Sequence, residues 1–271
     1  MSSTYPFIIL GAGYTGSFLY RRAKEYGHPA FATSRSPETH LPFALPEDRL
    51  HFDLENPTSW GNLPHPAQLI WCFPALPKHQ ALAFAKKMHD RQCRLVLLGS
   101  TSAYPTGEDG LIDETATIKL HLPRVTVEEH IRVHHGATVL RLAGLYGPGR
   151  NVLDWIRKGR IQNTSRYVNL IHIEDVTEVC LAACTQADAG ASYIVSDGTP
   201  RQWSEICRVA NQRWNVALPP PAVSSDVGKK LSPKKLLSKL QYQLKHPDLY
   251  SALDQIEASS IGPNPDPTFR L

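Results

Sequence analysis

No stretch of this 271-residue chain approaches the roughly 18 apolar residues that a membrane-crossing helix requires. Met1 to Tyr5 also lack the positively charged start and apolar run of a secretory leader. A cytoplasmic protein without a membrane partner is expected. Cysteine is scarce and unpatterned: the five residues Cys72, Cys93, Cys180, Cys184 and Cys207 include no CxxC pair. That argues against a disulfide framework or a zinc cluster and for reduced, mostly buried thiols. Charge of one sign is nearly absent in excess, 29 Lys and Arg standing against 25 Asp and Glu for a net +4. Such a balance gives no electrostatic footprint for a nucleic-acid partner. The one local excess is Lys229, Lys230, Lys234, Lys235 and Lys239. Its spacing fits the wet face of a helix between Leu231, Leu236, Leu237 and Leu240, with contact to an anionic substrate or phosphate as the alternative. His130, His134 and His135 have helical spacing but no carboxylate arranged around them, so they read as a solvated face and no metal is expected.

What the chain does have is alternation. Phe7-Ile-Ile-Leu10, 29–33, 50–54, 69–73, 95–98 and 138–141 are short apolar runs of the kind that form buried parallel strands. Between them lie amphipathic segments at 15–26, 78–90 and 124–134 that read as helices. Strands alternating with helices of this length imply right-handed crossovers and an α/β fold, a doubly wound parallel sheet (Rossmann) with a small C-terminal substrate lobe. The expected division is a dinucleotide-binding domain over 1–190, with parts of 146–168 joining the lobe, then a lobe over 191–260 and a flexible tail over 261–271.

The strongest local chemistry is Gly11-Ala-Gly13-Tyr14-Thr15-Gly16, set between a strand and a helix. Gly11 permits the tight turn, Gly13 lets a pyrophosphate approach the backbone, and Gly16 lets helix and strand pack closely. The free N–H groups of the helix start then hold the phosphates. Twenty residues on, where an NAD-binding fold places an acid for the ribose hydroxyls, stands Thr33-Ser34-Arg35. A cation with neighbouring hydroxyls suits a 2′-phosphate, so NADP(H) is preferred over NAD(H).

Seven segments in order then resemble the short-chain dehydrogenase/reductase superfamily, in its extended, atypical branch, the NAD-dependent epimerase/dehydratase family. They are the glycine turn, Phe52-Asp-Leu54, Leu97 to Tyr104, Asp113-Glu-Thr115, Arg141 to Arg150, Asn169 to Val176 and Tyr193 to Gly198. The resemblance spans residues 6 to about 255. It implies that Asp53 and Leu54 lie against the adenine, and that Phe73, Pro74 and Ala75 line the path of the pyrophosphate and ribose. It places Ser100 at the catalytic serine, with Thr101 and Ser102 as neighbours in register, and Tyr146 beside the nicotinamide. His172 and Asp175 are expected to cap and orient the following helix.

Two departures stand out. Leu10 occupies a position that is usually glycine. The active-site YxxxK falls on Leu120 and Arg124, so the proton-carrying phenol is missing, while Arg124 keeps the charge that grips the ribose. His121 and Tyr104 are the candidate substitutes as proton donor, with water as a third.

The expected function is an atypical NADP(H)-dependent oxidoreductase acting on a small-molecule substrate such as an activated double bond, an imine or a quinone-like ring. The alternatives are a non-catalytic NADP(H)-binding redox sensor or scaffold, and a nucleotide-sugar epimerase or dehydratase. The resemblance leaves a homodimer, paired through helices flanking the site, open against a monomer.

Overall fold

The computed structural model describes residues 5–107 and 110–261. Seven strands form the central sheet: β1 (Phe7–Leu10), β2 (Ala30–Ser34), β3 (Arg49–His51), β4 (Gln68–Trp71), β5 (Arg94–Ser100), β6 (Thr138–Leu142) and β7 (Ser192–Val195). Their spatial order is β3-β2-β1-β4-β5-β6-β7, and every neighbouring pair is parallel. The order reverses between β1 and β4, which opens a crevice at the carboxyl ends of the strands.

Residues alternate along each strand, so the two faces build separate cores. Phe7, Ile9, Ile70, Val96 and Leu140 face one way, with α1 (Tyr14–Glu25) and α4 (Ile173–Gln186). Ile8, Leu10, Leu69, Trp71, Leu97 and Val139 face the other, with α2 (Lys78–Asp90) and α3 (Pro123–His135). Strands apolar on both faces are what a sheet covered on both sides requires.

The second core is smaller. Tyr146, Val152, Leu153, Ile156 and Leu170 pack with Ile206, Cys207 and Ala210 of α5 (Trp203–Trp214) and Leu249, Ala252 and Leu253 of α7 (Leu249–Ile261). Three small two-stranded pairings accompany this lobe, and one of them, Lys230–Leu231 alongside Leu111–Ile112, joins its segment to the loop after β5.

The observed arrangement differs from the sequence reading in two ways. Ser192–Val195, expected to begin the lobe, is the edge strand of the central sheet. The lysine-rich segment is not one helix. Lys230 and Leu231 are extended, Pro233 sits where the turn begins, and α6 (Lys234–Leu240) carries only the later lysines. Proline has no N–H to give a helix interior, so the helix starts after it. Leu236 and Leu240 of α6 then pack into the sheet-side core. The tail from 262 onward lies outside the described residues.

A buried ionic ladder joins β6 to α3. Arg141 of β6 is 0% exposed, and its guanidinium donates to Glu128 at 3.1 Å and to Glu129 at 2.7 Å. Burial pushes the Glu128 carboxyl up, against the pull of Arg124 and Arg141. Gly99 makes room for it: a Cβ there would stand 3.0 Å from Glu128 Oε2. Arg141→Leu should lower stability by about 3–5 kcal/mol, because two glutamates lose their shared cation. The double variant Arg141→Met/Glu128→Gln should lose less. Urea unfolding of the three proteins checks this.

Candidate functional site

The glycine turn follows directly from β1. Gly11 has φ +76°, and a Cβ there would lie 2.5 Å from the Phe73 ring, so the turn and the loop after β4 touch. A Cβ on Gly16 would come within 2.9 Å of Ile9 Cγ2, which is the close contact of helix on strand. At Gly13 a Cβ would meet nothing within 4 Å. The space above Gly13 is therefore open, and it faces the first turn of α1. That turn contains no acidic residue and no side-chain cap, which leaves its N–H groups available to an anion. The side chains of Tyr14 and Thr15 are half-buried.

The end of β2 is tied to this turn. Thr33 Oγ1 accepts from the Gly11 N–H at 3.1 Å, and the Thr33 carbonyl accepts from the Ala12 N–H at 3.1 Å. Ser34 Oγ accepts from the Ser36 N–H at 3.1 Å and lies 3.0 Å from His40 Nδ1. Arg35 is exposed and has no hydrogen bond or ion pair among the described residues. No acid takes its place beside the turn.

After β3, Asp53 is held in a fixed turn. Its N–H donates to Ser59 Oγ at 3.0 Å, and its Oδ1 accepts from the Glu55 N–H at 3.0 Å. Leu54 is buried in the core with Phe52 and Trp60, so its side chain is not free to contact a ligand. Phe73 is half-buried, Pro74 exposed and Ala75 buried.

β5 delivers the serine segment. Ser100 Oγ accepts from the Ser102 N–H at 3.1 Å and so caps the short turn Thr101–Ala103. Arg124, at the start of α3, donates to Ser102 Oγ at 3.0 Å and lies 3.5 Å from Glu128 Oε1. The sequence therefore brings Ser100, Ser102 and Arg124 to one place. His121 is exposed nearby in sequence and has no side-chain hydrogen bond among the described residues.

Two expected residues do not reach the crevice. Tyr104 is 1% exposed and packs with Ile112, Ile194 and Leu231, and burial pushes its phenol up to about 12. It is sealed from any substrate. Tyr146 is wholly buried in the lobe core with its hydroxyl unpartnered, so its side chain cannot meet a nicotinamide. Tyr146 ends the short strand Gly144–Tyr146 and Tyr104 follows the turn Thr101–Ala103, and the family motif alone does not reveal that both are packed inward. Leu120, at the tyrosine position of YxxxK, is 56% exposed.

Two basic residues were missed. Arg150, in the turn after Tyr146, lies 4.3 Å over the Tyr14 ring, and the Tyr14 hydroxyl donates to the Pro148 carbonyl at 2.9 Å. Lys229 donates to the carbonyls of Thr101 at 2.8 Å and Tyr104 at 2.7 Å, directly behind the serine segment. Arg150 follows Tyr-Gly-Pro-Gly and was legible as a turn residue, whereas Lys229 was hidden in an apparent helix face.

His172 caps α4, its Nδ1 accepting from the Glu174 N–H at 3.3 Å. Asp175 holds the loop before α7, accepting from Tyr242 Oη and the Lys245 N–H at 2.7 Å and from the His246 N–H at 3.1 Å. His172, Glu174 and His246 bring their donor atoms within 4.8 Å of one another. The two imidazoles lie 3.8 Å apart between centroids with their planes tilted by 40°. His172 Nδ1 is engaged by the Glu174 N–H, and His246 Nε2 lies 3.3 Å from Glu174 Oε2, so the cluster already pairs within itself.

Burial, then the neighbouring His246, lowers His172 to about 4. Its folded value lies below the ordinary 6.5, so the unfolded chain binds the extra proton between these values. Stability should therefore rise as pH climbs from about 4 to 6.5 and level off above. His172→Asn keeps an oxygen to cap the helix and should flatten that slope; thermal melts across the window check it.

No protein-family model matches this chain, and no curated protein matches its sequence. Solved structures do match its fold. A functionally unknown conserved protein from Silicibacter pomeroyi superposes with a TM-score of 0.76 at 23% identity, covering 95% of this chain and 100% of the other. The UDP-N-acetylglucosamine 4-epimerase of Bacillus cereus gives 0.75 at 12% identity, over 95% and 100%. A short-chain dehydrogenase/reductase superfamily protein of Agrobacterium tumefaciens with bound NAD gives 0.77 at 10% identity, over 94% and 97%. At these identities the likeness is one of architecture, and it extends across both the sheet and the lobe. The chain is built on the fold of the extended short-chain dehydrogenase/reductases, the frame shared by the NAD-dependent epimerases and dehydratases.

Proposed function

We propose that the chain is an NADP(H)-dependent oxidoreductase of the atypical short-chain type, acting on a small-molecule substrate without the usual tyrosine. The observation that carries this reading is the pairing of an open glycine turn with an unpaired arginine. Gly13 leaves room against the first turn of α1, and Arg35 stands free at the end of β2 next to it. Backbone N–H groups of Tyr14, Thr15 and Gly16 would hold the pyrophosphate. Arg35, with the Ser34 hydroxyl beside it, would take the 2′-phosphate as a charge-assisted partner. Asp53 would meet the adenine, and Phe73 with Pro74 would flank the ribose and phosphates.

When bound, the dinucleotide supplies or accepts the hydride. The protein's own part is placement. Arg124 would grip the nicotinamide ribose, and it holds Ser102 at 3.0 Å, which steadies the turn that Ser100 caps. Ser100 would orient the reacting oxygen or nitrogen of the substrate. Arginine cannot be deprotonated in a protein, so Arg124 is an electrostatic anchor and not the proton source.

Leu120 favours a second reading. An exposed leucine in the place of the phenol, with Tyr104 sealed in the core, also suits a protein that binds NADP(H) and reports its redox state. The epimerase reading has weaker support, since oxidising a sugar hydroxyl calls for the missing base.

Titration calorimetry should give NADPH binding at least about tenfold tighter than NADH, roughly 1.4 kcal/mol. Arg35→Asp should erase or reverse that preference. Gly13→Val is the sharper test: a Cβ there meets no protein neighbour within 4 Å, so the melting temperature should hold while NADPH binding is lost. Equal affinity for both cofactors would overturn the NADP preference, and binding of neither would overturn the oxidoreductase reading.

A further inference from the structure

The helices α2 and α3 cover the same face of the sheet and end at the same place. α2 stops at Asp90 and β5 starts at Arg94, while α3 stops at His135 and β6 starts at Thr138. β5 and β6 are parallel neighbours, so the two helix ends stand side by side at the amino edge of the sheet. That edge is opposite the crevice, which lies at the carboxyl ends of the strands. Helical spacing alone leaves His130, His134 and His135 as a wet face. The fold adds a fourth imidazole, His89, and a carboxylate, Asp90, from the last turn of α2.

The four rings are close to one another. Those of His130 and His134 lie 4.3 Å apart between centroids, with their planes at 38°. His135 is 6.0 Å from His130, and His89 is 5.8 Å from His135. His89, His130 and His134 are exposed and His135 is half-buried. None of the four side chains makes a hydrogen bond or ion pair among the described residues. Their ring nitrogens are therefore not committed to holding the fold. The buried pair His172 and His246 differs in this respect, since both rings are engaged with Glu174.

Residues i and i+4 of a helix share a face, and two histidines at that spacing are a chelating pair. With metal–nitrogen bonds of about 2 Å, two imidazoles in cis positions on one ion have ring centres about 4.5–5 Å apart. His130 and His134 already stand near that separation. The place also favours a cation. The carbonyls that close a helix carry the negative end of its dipole, and two such ends meet here. Asp90 adds a full negative charge that acts on His135, although Lys86 also holds it at 2.7 Å.

We propose that His130, His134, His135 and His89 form a binding site for one divalent transition-metal ion of nitrogen preference, zinc or copper(II), with His130 and His134 as the chelating pair. Imidazole suits both metals. The ion joins the end of α2 to the end of α3 across the sheet edge. It lies away from the crevice and takes no part in hydride transfer, so the inference is independent of the oxidoreductase reading.

The full chain, purified without a histidine tag and stripped with EDTA, is the material for the test. At one equivalent of copper(II), pulsed electron paramagnetic resonance counts bound imidazoles by the echo modulation of their remote nitrogens. At least two equatorial imidazoles are expected, and the His130→Ala/His134→Ala double variant should lose them. Both side chains are exposed, so the metal-free variant should melt with the wild type. Modulation from one imidazole or none in the wild-type protein overturns the inference. Modulation that survives the double variant overturns it likewise, and its loss in His246→Ala would then assign the ion to the buried pair. Calorimetry with zinc supplies the second arm. His134→Ala and His89→Ala should each weaken zinc binding at least about tenfold, since loss of even an outer partner of a metal ligand costs about 10–100-fold. An affinity unchanged in His134→Ala overturns the chelate, and one unchanged in His89→Ala overturns the link between the helices.

Discussion

The placement of the crevice depends on one buried cation. Arg141 lies on β6, next to the edge strand and wholly removed from water, and a lone charge there would be prohibitively costly. Glu128 and Glu129 relieve that cost, and both come from α3. The requirement to neutralise Arg141 therefore fixes the rotation of α3 about its axis. Arg124 is one turn earlier on the same helix, so its reach to Ser102 follows from the same constraint. A hydrophobic contact in this position would hold the helix against the sheet with less demand on its angle. An ion pair with hydrogen-bond geometry sets it within narrower bounds.

The sheet supplies the rest by topology. Because β1 and β4 are neighbours with crossovers on opposite faces, the glycine turn, the Phe73 loop and the serine turn all emerge at the same edge. The lobe contributes from the other side. Arg150 rests on Tyr14 at the head of α1, and Lys229 reaches the carbonyls behind the serine turn. The lobe thus carries two basic groups to the sheet domain.

Much of the sheet domain was legible in the sequence because its signals are local. Apolar runs such as Phe7–Leu10 and Gln68–Trp71, bounded by glycine or proline and separated by amphipathic helices, are enough to imply a parallel sheet. The glycine turn announces itself by spacing, and Arg35 by standing where an acid belongs. The lobe was harder to read because its strands are two or three residues long and owe their form to partners elsewhere in the chain. Lys230–Leu231 is extended only because Leu111–Ile112 lies beside it. Read alone, that stretch has helical periodicity, and the periodicity concealed Lys229. Tyr104 and Tyr146 illustrate the complementary failure. Their residue type suggested chemistry, but burial is decided by packing: Tyr146 ends a strand set in the lobe core, and Tyr104 follows a turn covered by Ile112, Ile194 and Leu231.

The interleaving of the lobe with the sheet has a consequence for how the chain acquires its structure. The lobe core draws on residues 146–170, then 203–216, then 249–256, and β7 at Ser192–Val195 closes the sheet between the first two. During synthesis the first lobe segment leaves the ribosome before the sheet has its edge strand, and α7 arrives last. The lobe therefore has no stage at which it is complete while the sheet is not. The sheet is thus complete in the nascent chain before the lobe is, and can serve as the surface on which the lobe assembles. By the same logic the lobe is not a cassette: with β7 between its segments, it cannot be cut out and exchanged between chains at two points.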